Sequence, residues 1–435
     1  MFLLKKQVID NMKKINDLKR SAFAPVAVFS VAVLLFTALY WAVMLFSKSA
    51  WIDSYFLADH KDTGMDYFNM LANSGLKNPY TENSNYPAMC FFFLKIMRHL
   101  IPPEDIASMN DGFDYKENMI AQLGYFLFVF VSIMIIAISV KIIVKGNDII
   151  NTLLIASLIF SGPMFFLLER GNILLIVIAL TMLFCALYDS DNKYLRYIAY
   201  VSLAIAAAIK IYPAVFGLLL IKRRRYKDAA ILAVIGIAVF VLPFFAFGGF
   251  SSLGKMLTGM TAANAENVGS GFGYNFSLTN ILRILAVFLG KHIETVPKLI
   301  VYSGVFALLI GFVIARKEWQ QLFFLSMICL WTPFFSYTYS LVLLFLPVLS
   351  FLRELSVKEK NMLTAVYMIL FVIVMVPHAL PLAEKFNYNL YSTHSVRLPL
   401  SYSTIIINLA LIIISAIIII ENVYSTIKKS KRKEY

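Results

Sequence analysis

Long apolar runs, broken only by short basic or turn-forming stretches, follow one another along the chain from Ala22 to Ile420. Runs of this kind lack the alternation of strands and read as helices that cross a bilayer, each crossing needing about 20 apolar residues. Spans are expected near residues 22–46, 120–143, 149–168, 173–187, 195–210, 211–221, 229–247, 299–315, 319–334, 339–351, 362–377 and 402–420. Two stretches are too short for two full crossings, residues 195–221 with a break at Tyr212-Pro213 and residues 319–351 with a break between Pro333 and Tyr339. These are expected to be hairpins that turn within the membrane depth beside a cavity open to the outside, because unpaired backbone survives there only when protein or water satisfies it. The pattern therefore predicts an all-α integral membrane protein, a polytopic helical bundle with about 12 transmembrane spans forming one unit over residues 1–435.

Three polar segments separate the runs: residues 47–117, rich in Asp, Asn, Tyr and Pro, then 248–297 and 380–400. Inside them, residues 86–101 and 276–289 are apolar but interrupted by Lys95, Arg98, Asn280 and Arg283, the pattern of amphipathic helices lying on a membrane surface. Orientation follows from the basic residues. With the Lys-rich N-terminus in the cytoplasm, Lys141, Lys145, Lys193, Arg196, Lys222 to Arg225, Arg316, Lys317 and Lys428 to Lys433 also fall inside, as the positive-inside rule demands. Both termini are then expected in the cytoplasm, and the three polar segments on the outer face of the plasma membrane.

Composition agrees: 60% of the residues are hydrophobic and 15% charged, against about 25% charged in a soluble domain. The net charge of +14 sits in short clusters flanking apolar runs, so it argues for membrane lipids as neighbours and against nucleic acid. Cys90, Cys185 and Cys329 lie far apart in apolar sequence, without a disulfide or zinc pattern. The first span begins too late and runs too long for a cleaved signal peptide and is expected to stay as an anchor.

The outer segments hold the candidate chemistry. Asp53, Asp59, Asp62 and Asp66 follow the first span directly; a carboxylate there can act as general base toward a hydroxyl, while the plain alternative is a solvated loop of capping aspartates. Glu169-Arg170-Gly171-Asn172 stands at the outer end of the third span, where ionisable residues are costly unless paired or used. Lys210, in Lys210-Ile211-Tyr212-Pro213, is the only charge between Arg196 and Lys222 and sits at an outer turn, a place that suits a lipid phosphate better than snorkelling. Asn275, Ser277, Asn280 and Arg283 can offer hydroxyl or phosphate contacts, or merely cap a helix. The glycines before them are not spaced as a nucleotide-binding loop, and the five histidines show no metal-ligand spacing.

Taken in order, MDYFNML near Asp66, then YPAM, FFLLERGN, AIKIYPAVFGLLLIKRRR, YNFSL and SYTYSLVLLFLP resemble the polyprenol-phosphate-dependent glycosyltransferase family 87, a branch of the GT-C class, from about Asp53 to Pro347. The resemblance implies a GT-C-type bundle and an inverting, mannosyltransferase-like enzyme that moves a sugar from a polyprenyl-phosphate donor to a lipid or glycan acceptor at the outer face. It points to Asp66 as the base, with Asp62 and Asp53 as neighbours, and to Arg170, Asn172, Lys210 and Tyr212 as donor contacts, with Glu169, Asn275, Arg283 and Tyr339 beside them. Where many relatives carry a His-Tyr pair this chain has Thr338-Tyr339, so no histidine role carries over. No step requires a cofactor or a metal, although Asp62 and Asp66 leave room for a divalent ion. Two rivals are carried beside this reading: a secondary transporter, whose ionisable residues belong near the bilayer midplane, and a polymerase or ligase of surface polysaccharide.

Overall fold

The computed structural model describes residues 2–49, 52, 55–56, 60–82, 84, 86–266, 272–289, 298–355, 362–380, 382–391 and 394–431. Among them, five helices are long and apolar enough to cross a membrane: Ala24–Phe46, Met119–Val144, Tyr226–Phe247, Thr338–Leu355 and Tyr402–Lys428. A sixth candidate is broken, its halves Asp148–Ile159 and Gly162–Arg170 meeting at a bend of 56°. Shorter apolar helices at Leu174–Leu187, Tyr212–Lys222, Lys298–Ile314 and Met362–Met375 complete the set. The bend was not expected within residues 149–168; Ser161, Gly162 and Pro163 make it, with Pro at the start of the second half.

Burial explains why some helices are short. Leu174–Leu187 and Glu318–Trp331 have 14 residues each, about 21 Å at 1.5 Å per residue, well under the roughly 30 Å of a hydrocarbon core. Yet 10 and 12 of their residues are buried, so neighbouring helices, not lipid, surround them. The periphery is the reverse: Leu123, Phe126 and Phe130, and likewise Leu409 and Ile412, are exposed, as lipid-facing side chains must be. Several buried hydroxyls return to their own helices, Thr181 donating to the Val177 carbonyl at 2.7 Å and Ser132 to that of Phe128 at 2.7 Å, whereas Ser326 donates to the Leu343 carbonyl of a neighbouring element at 2.8 Å.

The breaks expected at the two hairpins are present. Helix Lys193–Ile209 ends at Lys210 in extended conformation, and a 3-10 turn Tyr212–Gly217 with Pro213 in its first turn follows. Glu318–Trp331 likewise gives way to a 3-10 segment, Thr338–Leu344, that leads into helix Phe345–Leu355. Of the amphipathic stretches, one is helix Ala88–Arg98, which buries Ala88, Cys90, Phe91 and Leu94. The other is helix Leu278–Phe288. The third polar segment departs from the all-helical expectation: Leu382–Tyr391 and His394–Ser401 pair as an antiparallel hairpin.

Loops that the charge pattern assigns to one side of the membrane meet at one end of the bundle. Glu318 accepts from Tyr188 at 2.9 Å, pairs with Arg353 at 2.5 Å and lies 3.3 Å from Arg223, which also pairs with Asp189. Lys317 pairs with Glu421 at 2.5 Å, and Gln320 donates to the same carboxylate at 2.9 Å. The candidate functional residues lie elsewhere, in the segments at the opposite ends of these helices.

Candidate functional site

Helix Met65–Asn73 buries Met65, Tyr67, Phe68, Met70 and Leu71, and that apolar face fixes its rotation so that Asp66 in the first turn looks the other way. Gly64 precedes it with φ 76°. Helix Gly162–Arg170 ends in Gly171, also left-handed at φ 65°, with the Gly171 and Asn172 amides donating to Leu168 and Leu167. The two glycines touch: Gly64 N donates to the Glu169 carbonyl at 2.7 Å, and a Cβ on Gly171 would stand 2.9 Å from Gly64 O and 3.0 Å from its Cα. Only glycine at 171 allows both the turn and the approach.

That contact carries Arg170 and Asn172 to the polar segment that follows the first span. Arg170 Nη2 donates to Asp66 Oδ1 at 2.9 Å and Nη1 to Asp62 Oδ2 at 3.0 Å, while Asn172 Nδ2 donates to Asp66 Oδ2 at 2.7 Å. Asn172 is itself locked, its Oδ1 accepting from Leu174 N at 3.0 Å. Arg170 pairs with Asp62 and Asp66 across the chain, because the Gly171 turn aims the guanidinium at the other segment. Each Asp66 oxygen accepts one hydrogen bond and keeps a further lone pair, so a held carboxylate can still receive a proton. Asp62 is the more solvated of the two, its side chain 43% exposed against 22% for Asp66. Asp53 lies outside the described residues.

Lys210, freed from its helix by the break before Pro213, places its ammonium over the rings of Tyr86 and Tyr339 at 5.4 and 5.6 Å. Among the described residues it makes no ion pair. Two ring faces stabilise a cation without neutralising it, which leaves its charge available to an anion. The Tyr86 phenol is driven well above its usual pKa, first by burial and then by the Asp66 carboxylate, so it is a neutral hydroxyl that connects the Lys210 and Asp66 halves. Tyr86 was not singled out from the sequence; its place directly before Pro87 in YPAM was the available signal.

Asn275 is buried, its amide donating to the Phe334 carbonyl at 3.0 Å and accepting from Ser277 N and Ser336 N at 2.9 Å each. Phe276 N adds a bond to the Ser336 carbonyl at 2.7 Å. Asn275 thus clamps the segment that carries Tyr337 and Tyr339, and every group of its amide faces backbone. Arg283, 5% exposed, stacks over Phe334 at 4.5 Å, and burial lowers its pKa to about 10, leaving it cationic at neutral pH. Glu169 holds one carboxylate oxygen, Oε2, buried with no hydrogen bond among the described residues, and the Tyr212 carbonyl accepts from the Cys329 thiol at 3.4 Å. Among the described residues no group of three or more His, Cys, Asp or Glu is arranged to hold a metal ion.

The geometry makes one mutational expectation sharp. Gly171→Ala should cost about 1–3 kcal/mol for the left-handed backbone alone, with the Gly64 contact added. Thermal unfolding in detergent should show the midpoint falling and activity lost; an unchanged midpoint would mean the two segments do not depend on this contact.

Residues 119–347, 229 of the 435 residues, match the family described as glycosyltransferase family 87. The match includes Arg170, Asn172, Lys210, Asn275 and Tyr339 and stops short of Asp62 and Asp66. No curated protein and no solved structure matches the chain.

Proposed function

The chain belongs to glycosyltransferase family 87, and from that premise we propose that it transfers a sugar, a mannose-like hexose, from a polyprenyl-phosphate donor to a hydroxyl of a lipid or glycan acceptor. The observation that carries this reading is the pairing of two features in one site. Asp66 is held by Arg170 and Asn172, and the ammonium of Lys210 is held by two rings with no ion pair among the described residues.

In the proposed reaction the acceptor oxygen attacks the anomeric carbon, its proton passes to Asp66, and the bond from that carbon to the phosphate oxygen breaks. Polyprenyl phosphate leaves with the electron pair, its charge stabilised by Lys210. A single displacement inverts the anomeric centre. Arg170 and Asn172 orient the base, Asn275 positions the Tyr337–Tyr339 segment, and Tyr212, Arg283 and Glu169 line the donor side. A transporter would place such residues at mid-membrane, whereas these gather where the helices end. Incubation of the purified protein with a panel of polyprenyl-phosphate sugars should release polyprenyl phosphate. Transfer from nucleotide sugars with none from lipid-linked ones would sink the donor assignment.

The same reading places about twelve spans in a GT-C-type bundle in the plasma membrane, both termini in the cytoplasm and the site outside. Single cysteines at Lys77 and Glu104 should then react with a membrane-impermeant thiol reagent on intact cells, and at Lys193 and Arg224 only after lysis. All four positions are exposed, so the reverse pattern would invert the topology.

A further inference from the structure

Tyr86 enters the site from a well-anchored corner. Pro87 follows it and caps the start of helix Ala88–Arg98, which steers the backbone before it into an extended form. The Tyr86 carbonyl accepts from the Tyr80 hydroxyl at 3.0 Å. Tyr80 is held in turn, its amide donating to Asn78 Oδ1 at 3.0 Å and its ring stacked on Phe244 at 5.7 Å.

From that corner the side chain spans the two halves of the site. The Lys210 ammonium lies 5.4 Å from the ring centre, and the phenol oxygen accepts from the side-chain amide of Asn172. The Asn172 amide is thereby used up: one N–H serves Asp66, the other Tyr86, and its oxygen takes the amide of Leu174. The phenol's own proton has no acceptor among the described residues, and Asp66 acts on it through charge alone. Burial, and then that charge, keep the phenol protonated. The residue is nevertheless partly exposed, so a fixed hydrogen-bond donor is left for something that enters the site.

In the displacement proposed above, the acceptor oxygen, the anomeric carbon and the departing phosphate oxygen stand in line, with Asp66 at one end and Lys210 at the other. The sugar ring occupies the middle. We propose that the Tyr86 hydroxyl donates a hydrogen bond to one hydroxyl of the transferred sugar and so helps set which sugar is accepted; this rests on the donor assignment above. Lys210 and Asp66 act on a phosphate and a proton that every donor of this class shares. A fixed phenol beside the ring discriminates, because a sugar whose hydroxyl is missing or inverted leaves that donor unpaired.

Tyr86→Phe removes the hydroxyl and keeps the ring beneath Lys210. Its kcat/KM for the preferred polyprenyl-phosphate sugar should fall about tenfold, the size of one neutral hydrogen bond, with the thermal unfolding midpoint in detergent unchanged. The deciding comparison uses monodeoxy analogues of that donor, each lacking one sugar hydroxyl. One analogue should lose about tenfold with the unaltered protein and nothing further with Tyr86→Phe, while the other analogues lose as much with the variant as without it. If instead the variant loses on every analogue as the unaltered protein does, Tyr86 touches no sugar hydroxyl and its role is structural. A Tyr86→Phe protein as active as the unaltered one would overturn the proposal as well. If the unaltered protein releases polyprenyl phosphate from no lipid-linked sugar, the donor assignment fails first and takes this contact with it, a result distinct from the other two.

Discussion

Asp66→Asn is expected to bind donor as the unaltered protein does and to turn over about 10²–10⁴ times more slowly, the usual loss when general-base help is removed. Asparagine keeps the size of the side chain and one acceptor oxygen for Arg170 or Asn172, so the fold around the Gly64–Gly171 contact should stand. What disappears is the group that takes the acceptor's proton in the proposed reaction. Asp62→Asn is the informative control: Asp62 shares Arg170 but is twice as exposed, and its loss should leave most of the turnover because Asp66 retains both of its donors. Steady-state release of polyprenyl phosphate separates kcat from KM for each variant. An active Asp66→Asn beside an inactive Asp62→Asn or Asp53→Asn would move the base to that residue, and three active variants would remove an aspartate base from the mechanism.

Lys210→Met is expected to act on the other substrate. A hydrogen bond to a charged group contributes about 1.5–3 kcal/mol, which converts to a loss of donor affinity of roughly 10- to 100-fold at 1.4 kcal/mol per decade. Because the phosphate gains charge as the sugar departs, kcat should fall as well. Methionine retains the length and apolar stem, and the contacts with Tyr86 and Tyr339 become ordinary packing, so thermal stability should hold. Lys210→Arg, which restores a cation in a wider shape, should recover part of the affinity. Unchanged KM and kcat in Lys210→Met would show that the phosphate binds elsewhere.

The helices were legible because an uninterrupted apolar run has few other uses, and Pro213 marked the break that frees Lys210 from its helix. The bend at Phe160–Ser161 was not read, since hydropathy stays high through residues 149–168 and outweighed the Ser-Gly-Pro turn signal inside the run. The hairpin was missed for the opposite reason. Residues 386–390 alternate apolar and polar side chains, with Phe386, Tyr388 and Leu390 set between asparagines, and Val396 and Leu398 flank Arg397 in the same way, a period of two that a surface loop does not require. For the site, the sequence offered charged residues in costly places but not their partners. The union of Arg170 with Asp62 and Asp66, more than a hundred residues away, depends on two glycines whose backbones touch, and no spacing along the chain encodes that. Asn275 illustrates the converse: its amide suits a substrate, and the fold commits it to the backbone of Phe334 and Ser336.

The triangle of Arg170 with its two carboxylates has a consequence for the resting state between turnovers. Asp62, Asp66, Arg170 and Lys210 sum to neutrality before any substrate arrives, and the donor's phosphodiester adds a single negative charge. In the proposed reaction that total does not change. One unit of negative charge is displaced from the Arg170 pole to the Lys210 pole, as Asp66 takes a proton and the departing phosphate becomes a dianion. Arg170 is then left facing Asp62 alone, while Lys210 grips its product more tightly than it held the donor. Reset therefore has two requirements: the product must escape an attraction that the chemistry has just strengthened, and a proton must leave Asp66. Slow escape of polyprenyl phosphate, rather than bond breaking, is the step this polarity would make limiting.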